Sequence, residues 1–212
     1  MNNNYHPFLL RCPNMHELLG DVFSMSRLIN NIEQCSLNLH DGYSIEKFKG
    51  DAFEFFINEC LHLHDVSNIF GVHDYKMINS TDDMGADGIG INQSLNECLV
   101  QVKYRRPNTY LNYNIDKLNN MFNVGDELGI HSDKIGDGTN FKFFIFTTAG
   151  GLDFRTEENF NGKRKRVRVF SYDNFHTTLQ ENGPFWKVLR EKTFDTLSDL
   201  QRKKEEFLLQ TQ

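Results

Sequence analysis

Residues 85–105 have the sequence GADGIGINQSLNECLVQVKYR, in which two strand-like segments flank a short polar turn. The predicted strands cover residues 87–91 and 97–104, and the asparagines and serine between them favour a tight connection. Side chains alternate faces along a strand, so Gln101 and Lys103 point the same way from the second strand. The stretch therefore predicts a hairpin that carries an amide and an ammonium on one face.

The only acid within the first of these strands is Asp87. If the two strands pair, their backbones lie roughly 4.7 Å apart, close enough for Asp87 to approach Gln101 and Lys103. A carboxylate, an amide and an ammonium in one small volume make a poor hydrophobic core. The three side chains are better suited to a site that binds a metal ion and a phosphate.

Magnesium prefers hard oxygen ligands, often one or two carboxylates together with waters and a substrate phosphate. Asp87 would be the main ligand, and the Gln101 side chain and the Val102 carbonyl would add oxygens. Lys103 would orient an attacking water or offset the charge that builds on a phosphodiester. These residues predict phosphodiester hydrolysis with Mg²⁺ as the cofactor and Mn²⁺ as its alternative.

Each residue also has an ordinary structural interpretation. Asp87 alone fits an acid that flanks a turn between glycines, and Lys103 alone fits a surface lysine on an edge strand, where it discourages aggregation. Asp82 and Asp83 fit a turn better than a second metal site. The register of Asp87 with Gln101 and Lys103 is what favours a nuclease over these interpretations.

The rest of the chain predicts helices and strands that build one mixed sheet. Ser44 can cap a helix over residues 45–63, where apolar residues recur at helical spacing. Residues 1 to about 40 predict one helix in an amino-terminal extension. The other predicted elements are a strand over 72–78, a helix from Asn108 or Thr109 to about Phe122, a buried strand over 141–148, a strand over 166–171, and helices over 173–180, 184–191 and 193–209. This order indicates an α/β (α+β) fold, with a mixed sheet flanked by helices.

The composition of the chain excludes several classes of protein. With 212 residues, 39% of them hydrophobic, the chain can bury a substantial core. A net charge of −6 argues against a protein that coats nucleic acid through its average surface. The four cysteines have no zinc-site spacing, and no stretch is long enough for a membrane span. We therefore expect a soluble cytoplasmic protein without a membrane partner, encoded by a cell, a virus or a mobile element.

A local basic stretch is nevertheless present, with five cations among residues 163–168. It could form a solvated hairpin loop or hold a nucleic-acid backbone, whose phosphates position a protein without reporting sequence. The residues predicted to contact nucleic acid, including two beside the proposed site, are Arg105, Arg106, Lys163, Arg164, Lys165, Arg166 and Arg168.

These residues resemble the PD-(D/E)xK nuclease superfamily. Asp87 followed by Gln101-x-Lys103 is similar to the variant in Mrr-like restriction endonucleases, which has Gln at the second acidic position. Three further stretches resemble the family's early helix, its D-x-G-x-D segment and its strand ending in Thr-Thr-Gly, and they are Phe53-Glu54-Phe55, Asp83-x-Gly85-x-Asp87-Gly88 and Phe144 to Gly150.

The resemblance implies a restriction-endonuclease-like fold of αβββαβ order over residues 44–180, with helical extensions over 1–43 and 181–212. It also implies that Asp87 binds the metal, that Gln101 stands in the second ligand position and that Lys103 is the catalytic lysine. Glu54 would be the accessory acid on the early helix, although Asp51 or Glu59 could be mistaken for it, and a helix glutamate is usually just solvated.

Three functions remain open on the sequence. The first is a Mg²⁺-dependent DNA endonuclease, a homodimer if it cuts both strands. The second is a nucleic-acid-binding or assembly module on the same fold with weakened metal affinity, because no proline precedes Asp87 and Gln101 is neutral. The third is the nuclease domain of a larger restriction or helicase-type enzyme, fused to or associated with a helicase.

Overall fold

The computed structural model describes residues 5–39, 42–78, 85–130, 141–162 and 167–210. Helices and strands follow one another along the chain as α1 (Phe8–Arg11), α2 (Met15–Leu19), α3 (Met25–Cys35), α4 (Ile45–Leu61), α5 (His64–Phe70), β1 (Val72–Met77), β2 (Gly88–Asn92), β3 (Glu97–Lys103), α6 (Leu118–Glu127), β4 (Phe143–Thr147), α7 (Phe154–Gly162), β5 (Val167–Phe170), α8 (Tyr172–Leu179) and α9 (Pro184–Gln210).

The strands form one five-stranded sheet in the order β1-β2-β3-β4-β5. β1, β2 and β3 are an antiparallel meander, whereas β3, β4 and β5 run parallel. The predicted mixed sheet flanked by helices is confirmed. Apart from the short helix α5, the order from α4 to β4 is the one that the resemblance implies.

Both faces of the sheet are covered by apolar side chains. Every residue of β4 is buried, with Phe144 and Phe146 in the core shared with α4. Phe143 and Ile145 pack on the other face, in a second core shared with α6. A strand buried on both faces is a continuous hydrophobic run, which is why residues 141–148 predicted a buried strand correctly, although β3 and not β4 is at the centre of the sheet.

The helices at the two ends of the chain belong to the core on the α4 side. Phe8 of α1 packs against Phe48 and Phe55 of α4, with ring centroids 5.4 and 5.8 Å apart. Trp186 of α9 stacks on Phe56 at 5.9 Å. Among the described residues, no helix is both long enough and apolar enough to cross a membrane.

Three details differ from the sequence-based expectation. Residues 5–39 hold three helices instead of one, and α9 continues without a break where two helices were expected. The helix expected from Asn108 begins only at Leu118, because the preceding backbone pairs with another segment. The Gly150 N–H donates to the Thr109 carbonyl at 2.8 Å, and the Leu111 N–H donates to the Gly151 carbonyl at 2.9 Å.

Helix α7 was not predicted, since the sequence indicated no helix between the strands expected over 141–148 and 166–171. The parallel pairing of β4 with β5 explains its presence. Parallel neighbours cannot be joined by a tight turn, and the chain must cross from one end of the sheet to the other, most often as a helix.

Candidate active site

Asp87 lies immediately before β2, at the point where the hairpin strands part. Its N–H donates to the Val100 carbonyl at 2.8 Å, and its carbonyl accepts from the Ile78 N–H at 3.0 Å. Its side-chain Oδ2 accepts from the Val102 N–H at 2.5 Å. The Asp87 carboxylate therefore accepts the hydrogen bond that a backbone carbonyl of the neighbouring strand would otherwise accept from Val102. This hydrogen bond fixes the carboxylate beside β3.

Tyr75 of β1 lies against Asp87 and Gly88 on the α4 side of the sheet. Its hydroxyl donates to the Asp87 carbonyl at 3.3 Å. The ring passes so close to Gly88 that a Cβ there would lie 2.2 Å from it, so only glycine fits after Asp87. Burial raises the Tyr75 pKa well above its ordinary value, and the negative charges of Asp87 and Glu54 add to the shift. The phenol is thus a neutral donor.

Gln101 directly precedes Val102 in β3, so its side chain lies on the face of the sheet opposite to that of Val102. Gln101 is only 1% exposed. Neither its Oε1 nor its Nε2 has a hydrogen-bond partner in the part of the chain that the structure describes. A buried polar group left without a partner costs about 1–3 kcal/mol, and such groups are rare in native proteins. Gln101 is therefore suited to an additional partner such as an ion or a water.

Lys103 is the last residue of β3 and shares the face of Gln101. Its side chain is partly exposed, and within the described ranges its ammonium has no ion pair. Its carbonyl accepts from the Thr147 hydroxyl at 2.8 Å and from the Thr148 N–H at 3.3 Å. The Arg105 N–H then donates to the Thr148 hydroxyl at 2.7 Å. Thr147, the last residue of β4, and Thr148, which follows it, thus hold the backbone at and beyond the end of β3.

The Val102 carbonyl is directed to the same side as Asp87. Carbonyls alternate between the two neighbouring strands along β3. The Val100 carbonyl binds Asp87 on the β2 side, whereas the Leu99 N–H donates to the Lys142 carbonyl on the β4 side. By this alternation Val102 presents its carbonyl to the β2 side, where Asp87 lies.

Glu54 lies on α4 between two buried phenylalanines, and its side chain is 30% exposed. The negative charge of Glu54, like that of Asp87, contributes to the raised pKa of Tyr75. The structure places Glu54 beside His6, with Oε1 of Glu54 3.8 Å from Nε2 of His6. Asp51 instead accepts from the Tyr43 hydroxyl at 2.6 Å, and Glu59 pairs with Lys192 of α9 at 3.1 Å.

A polar cluster of Glu33, Lys49 and Tyr104, which the sequence did not predict, supports the end of β3. The Tyr104 hydroxyl donates to Glu33 Oε1 at 2.8 Å, and the Lys49 ammonium binds Oε2. Burial opposes the ionised carboxylate, but the hydrogen bonds from Lys49 and Tyr104 outweigh it and lower the Glu33 pKa. Because the partners are far apart in the chain, no local pattern could have indicated them.

The two arginines after β3 have different surroundings. The Arg105 guanidinium binds Asp116, with Nε 2.7 Å from Oδ1, and that carboxylate is itself buried. Much of the Arg105 charge is therefore compensated inside the protein. Arg106 is exposed, and among the described residues it forms no ion pair. Of the two, Arg106 has the charge more available for a phosphate.

Of the basic residues predicted after α7, the structure describes Arg168 alone. Lys163, Arg164, Lys165 and Arg166 lie outside the described residues. Arg168 is level with Phe144 and Val100 in the sheet register. That level is three residues before Lys103, roughly 10 Å along the strand direction. Its guanidinium lies over the rings of Phe170 and Phe141, at 4.8 and 5.8 Å.

The donor set can be compared with the needs of a divalent ion. Within the described ranges, no three His, Cys, Asp or Glu side chains are placed to hold a metal. Asp82 and Asp83 lie outside those ranges. The oxygens that remain are the Asp87 carboxylate, the buried Gln101 amide and the Val102 carbonyl. They are the hard ligands that Mg²⁺ accepts alongside waters, so the residues present fit such an ion.

Comparison with known proteins gives little further information. No family model matches the chain, and no curated protein matches its sequence. A solved structure of the MspJI restriction endonuclease in complex with a 27-mer oligonucleotide is similar, with a TM-score of 0.40 and 13% sequence identity. The match covers 76% of this chain and 37% of that one. Similarity this low supports no argument about activity.

Proposed function

We propose that this chain is a Mg²⁺-dependent DNA endonuclease of the PD-(D/E)xK type, either by itself or as the nuclease domain of a larger enzyme. The observation that carries the proposal is the buried Gln101 amide, which has no partner among the described residues and lies on the same face of β3 as Lys103. As in the Mrr-like variant, Gln101 would replace the second acidic ligand.

Asp87, Gln101 and Val102 would hold the ion through one carboxylate, one amide and one carbonyl oxygen. When bound, Mg²⁺ supplies a Lewis acid that polarises a phosphate and lowers the pKa of a bound water. The Gln101 Nε2 is then left to donate to a phosphate or a water. A role in metal binding would explain why a buried amide without a partner among the described residues is tolerated.

Lys103 supplies the positive charge on the same face. Its ammonium is compact and carries three donors, so it can hold a water in line with phosphorus or stabilise the negative charge that develops on the phosphate oxygens. Thr147 at the end of β4 and the following Thr148 keep its backbone in place. Glu54 would be the accessory acid, able to orient a water within the site.

DNA is the proposed substrate, and Arg106 the described residue best placed to contact its backbone outside the site. Phosphate contacts of this kind position a duplex without reading its sequence. Cutting both strands with one active site per chain would require a homodimer or two successive nicks.

The test is incubation of supercoiled plasmid and of single-stranded DNA with the protein in Mg²⁺, in Mn²⁺ and in EDTA. We expect nicked or linear plasmid only with a divalent ion, and no such product from Asp87→Asn. Lys187→Met is the matched control, because Lys187 is an exposed lysine of α9 whose pairing is with Glu191. Cleavage that persists in EDTA or in Asp87→Asn would contradict the proposal.

The second candidate is a DNA-binding or assembly module with the same fold. It is favoured by the neutral Gln101 and by the hydrogen bond that already occupies Asp87 Oδ2, both of which reduce the negative charge available to an ion. This alternative predicts DNA binding that weakens steeply with salt, with no turnover in either metal.

A further inference from the structure

His6 lies in the segment before α1 and is 5% exposed. Its ring packs edge-on against Phe55 of α4, with centroids 5.9 Å apart. The segment is anchored next to it, because Phe8 packs on Phe48 and Phe55. The amino-terminal residues thus place an imidazole deep against the helix that carries Glu54.

The hydrogen bonds of His6 define which ring nitrogen carries the proton. Nδ1 lies 3.2 Å from the Phe8 backbone nitrogen, whose N–H can only donate. Nδ1 must therefore accept, and a neutral imidazole that accepts at Nδ1 has its proton on Nε2. This nitrogen lies 3.8 Å from Glu54 Oε1. The ring consequently presents an N–H to the Glu54 carboxylate.

Glu54 has a long, flexible side chain, and few polar contacts with described residues restrain it. Among the residues that the structure describes, no other side chain forms a hydrogen bond or an ion pair with its carboxylate. A distance of 3.8 Å is slightly beyond a hydrogen bond, and polar contacts in sites without ligand often shorten when substrate binds. His6 is therefore the group that can fix the direction of this acid.

We propose that His6 is a positioning residue that donates its Nε2–H to Glu54 and fixes the orientation of that carboxylate on α4. The inference rests on the proposed function for its effect on cleavage. The contact itself does not depend on that function. It also gives the amino-terminal segment a role at the site, beyond covering the core.

The experiment compares two substitutions of His6. His6→Leu introduces an apolar side chain of similar length that has no donor, whereas His6→Gln keeps an N–H at about the same distance from the backbone. Both are combined with Glu54→Gln in the 212-residue chain. kcat and KM for Mg²⁺-dependent plasmid nicking and the Tm are measured for each. A matched control is His16→Leu, at an exposed histidine that stacks on Phe194 of α9.

We expect His6→Leu to lower kcat about tenfold with KM little changed, the usual scale for a residue that orients an active-site ligand. His6→Gln should recover most of that loss. In the Glu54→Gln background, His6→Leu should have no further effect. Independent, multiplicative losses from the two substitutions, or losses of kcat in His6→Leu and His6→Gln that follow equal losses of Tm, would overturn the inference.

The contact can also be tested if the wild-type protein does not cleave DNA, a result that would reject the proposed function alone. Long-range ¹H–¹⁵N spectra should then show His6 protonated at Nε2 and not at Nδ1, and Glu54→Gln should shift the Nε2 signal. The Tm changes of His6→Leu and Glu54→Gln should also be non-additive. A proton on Nδ1, or an Nε2 signal indifferent to Glu54→Gln, would reject the contact.

Discussion

The carboxylate of Asp87 accepts a hydrogen bond at 2.5 Å from the backbone N–H of Val102, which lies 15 residues later in the chain. The proposed metal-binding acid is therefore held by the strand that carries Gln101 and Lys103. Because the acceptor is a side chain, its geometry depends on the register of β2 with β3, and a slip in that register would separate the acid from both partners.

The hydrogen bond from Val102 allows the structural role of Asp87 to be tested separately from its proposed role in metal binding. Asp87→Asn retains an oxygen that can accept from Val102, whereas Asp87→Ala leaves that N–H without its acceptor. We expect both variants to lose cleavage, but only Asp87→Ala to lose about 1–3 kcal/mol of unfolding free energy in urea titrations. Equal stability losses in the two variants would show that the charge, and not the hydrogen bond, supports the fold.

In the absence of metal, Gln101 should make the protein less stable than an apolar side chain of similar size would at the same position. We expect Gln101→Leu to raise the free energy of unfolding by about 1–3 kcal/mol without metal, because it removes two buried polar atoms that lack partners among the described residues. The same variant should lose the increase in Tm that Mg²⁺ or Mn²⁺ gives the wild-type protein. Thermal melts with and without each metal measure both effects.

Gln101→Glu is the complementary change, because it restores the acid of the more common family pattern. A carboxylate should bind the ion more tightly, so the metal-induced rise in Tm should exceed that of the wild-type protein. Without metal the variant should be less stable, since it places a second acid beside Asp87 in a buried position. A metal response equal to that of the wild-type protein would argue against Gln101 as a ligand.

Thr147 should contribute to activity through Lys103, although it does not carry the chemistry. Thr147→Val keeps the shape of the side chain and removes the hydroxyl that donates to the Lys103 carbonyl. We expect a loss of about 1 kcal/mol in unfolding free energy and a reduced kcat with KM little changed. Thr177→Val is a control, because that hydroxyl donates to the carbonyl of Asp173 within the exposed part of α8.

The Glu33 cluster should give the protein an acid-sensitive component of stability. The pKa of Glu33 is lowered from its ordinary value of 4.5, so the folded state binds the proton less readily than the unfolded state. Its contribution is therefore complete above pH 4.5 and is lost as the pH falls through the lower folded-state pKa. Tm measured across this range should fall less steeply in Glu33→Gln, whereas the exposed Glu46→Gln should follow the wild-type curve.

The hairpin from Asp87 to Lys103 and the buried strand β4 could be predicted because each is specified by a local pattern. Alternating side chains, turn residues and an uninterrupted apolar run act within a few positions of the chain. The relation of Gln101 to Lys103 follows from the same period of two. Glu54 was predicted through its resemblance to a family motif, since its local pattern fits a solvated glutamate equally well.

The elements that escaped prediction depend on distant partners. The segment before α6 is irregular because its backbone pairs with residues 150–153. The partner of Tyr104 lies on α3, and that of Glu54 lies in the segment before α1. Arg105 was predicted to contact phosphate, a role that stays a prediction, but its ion pair with Asp116 could not be deduced from spacing. Contacts of this kind leave no periodic signal.

The most direct test of the central claim is the rate of Mg²⁺-dependent plasmid nicking by Lys103→Met compared with Lys187→Met. Both substitutions replace one ammonium with an apolar chain of similar length, but only Lys103 lies on the face of Gln101. We predict that Lys103→Met reduces the rate by at least about 100-fold while Lys187→Met cleaves at the wild-type rate. Equal rates for the two variants would contradict the assignment of this site as the nuclease centre.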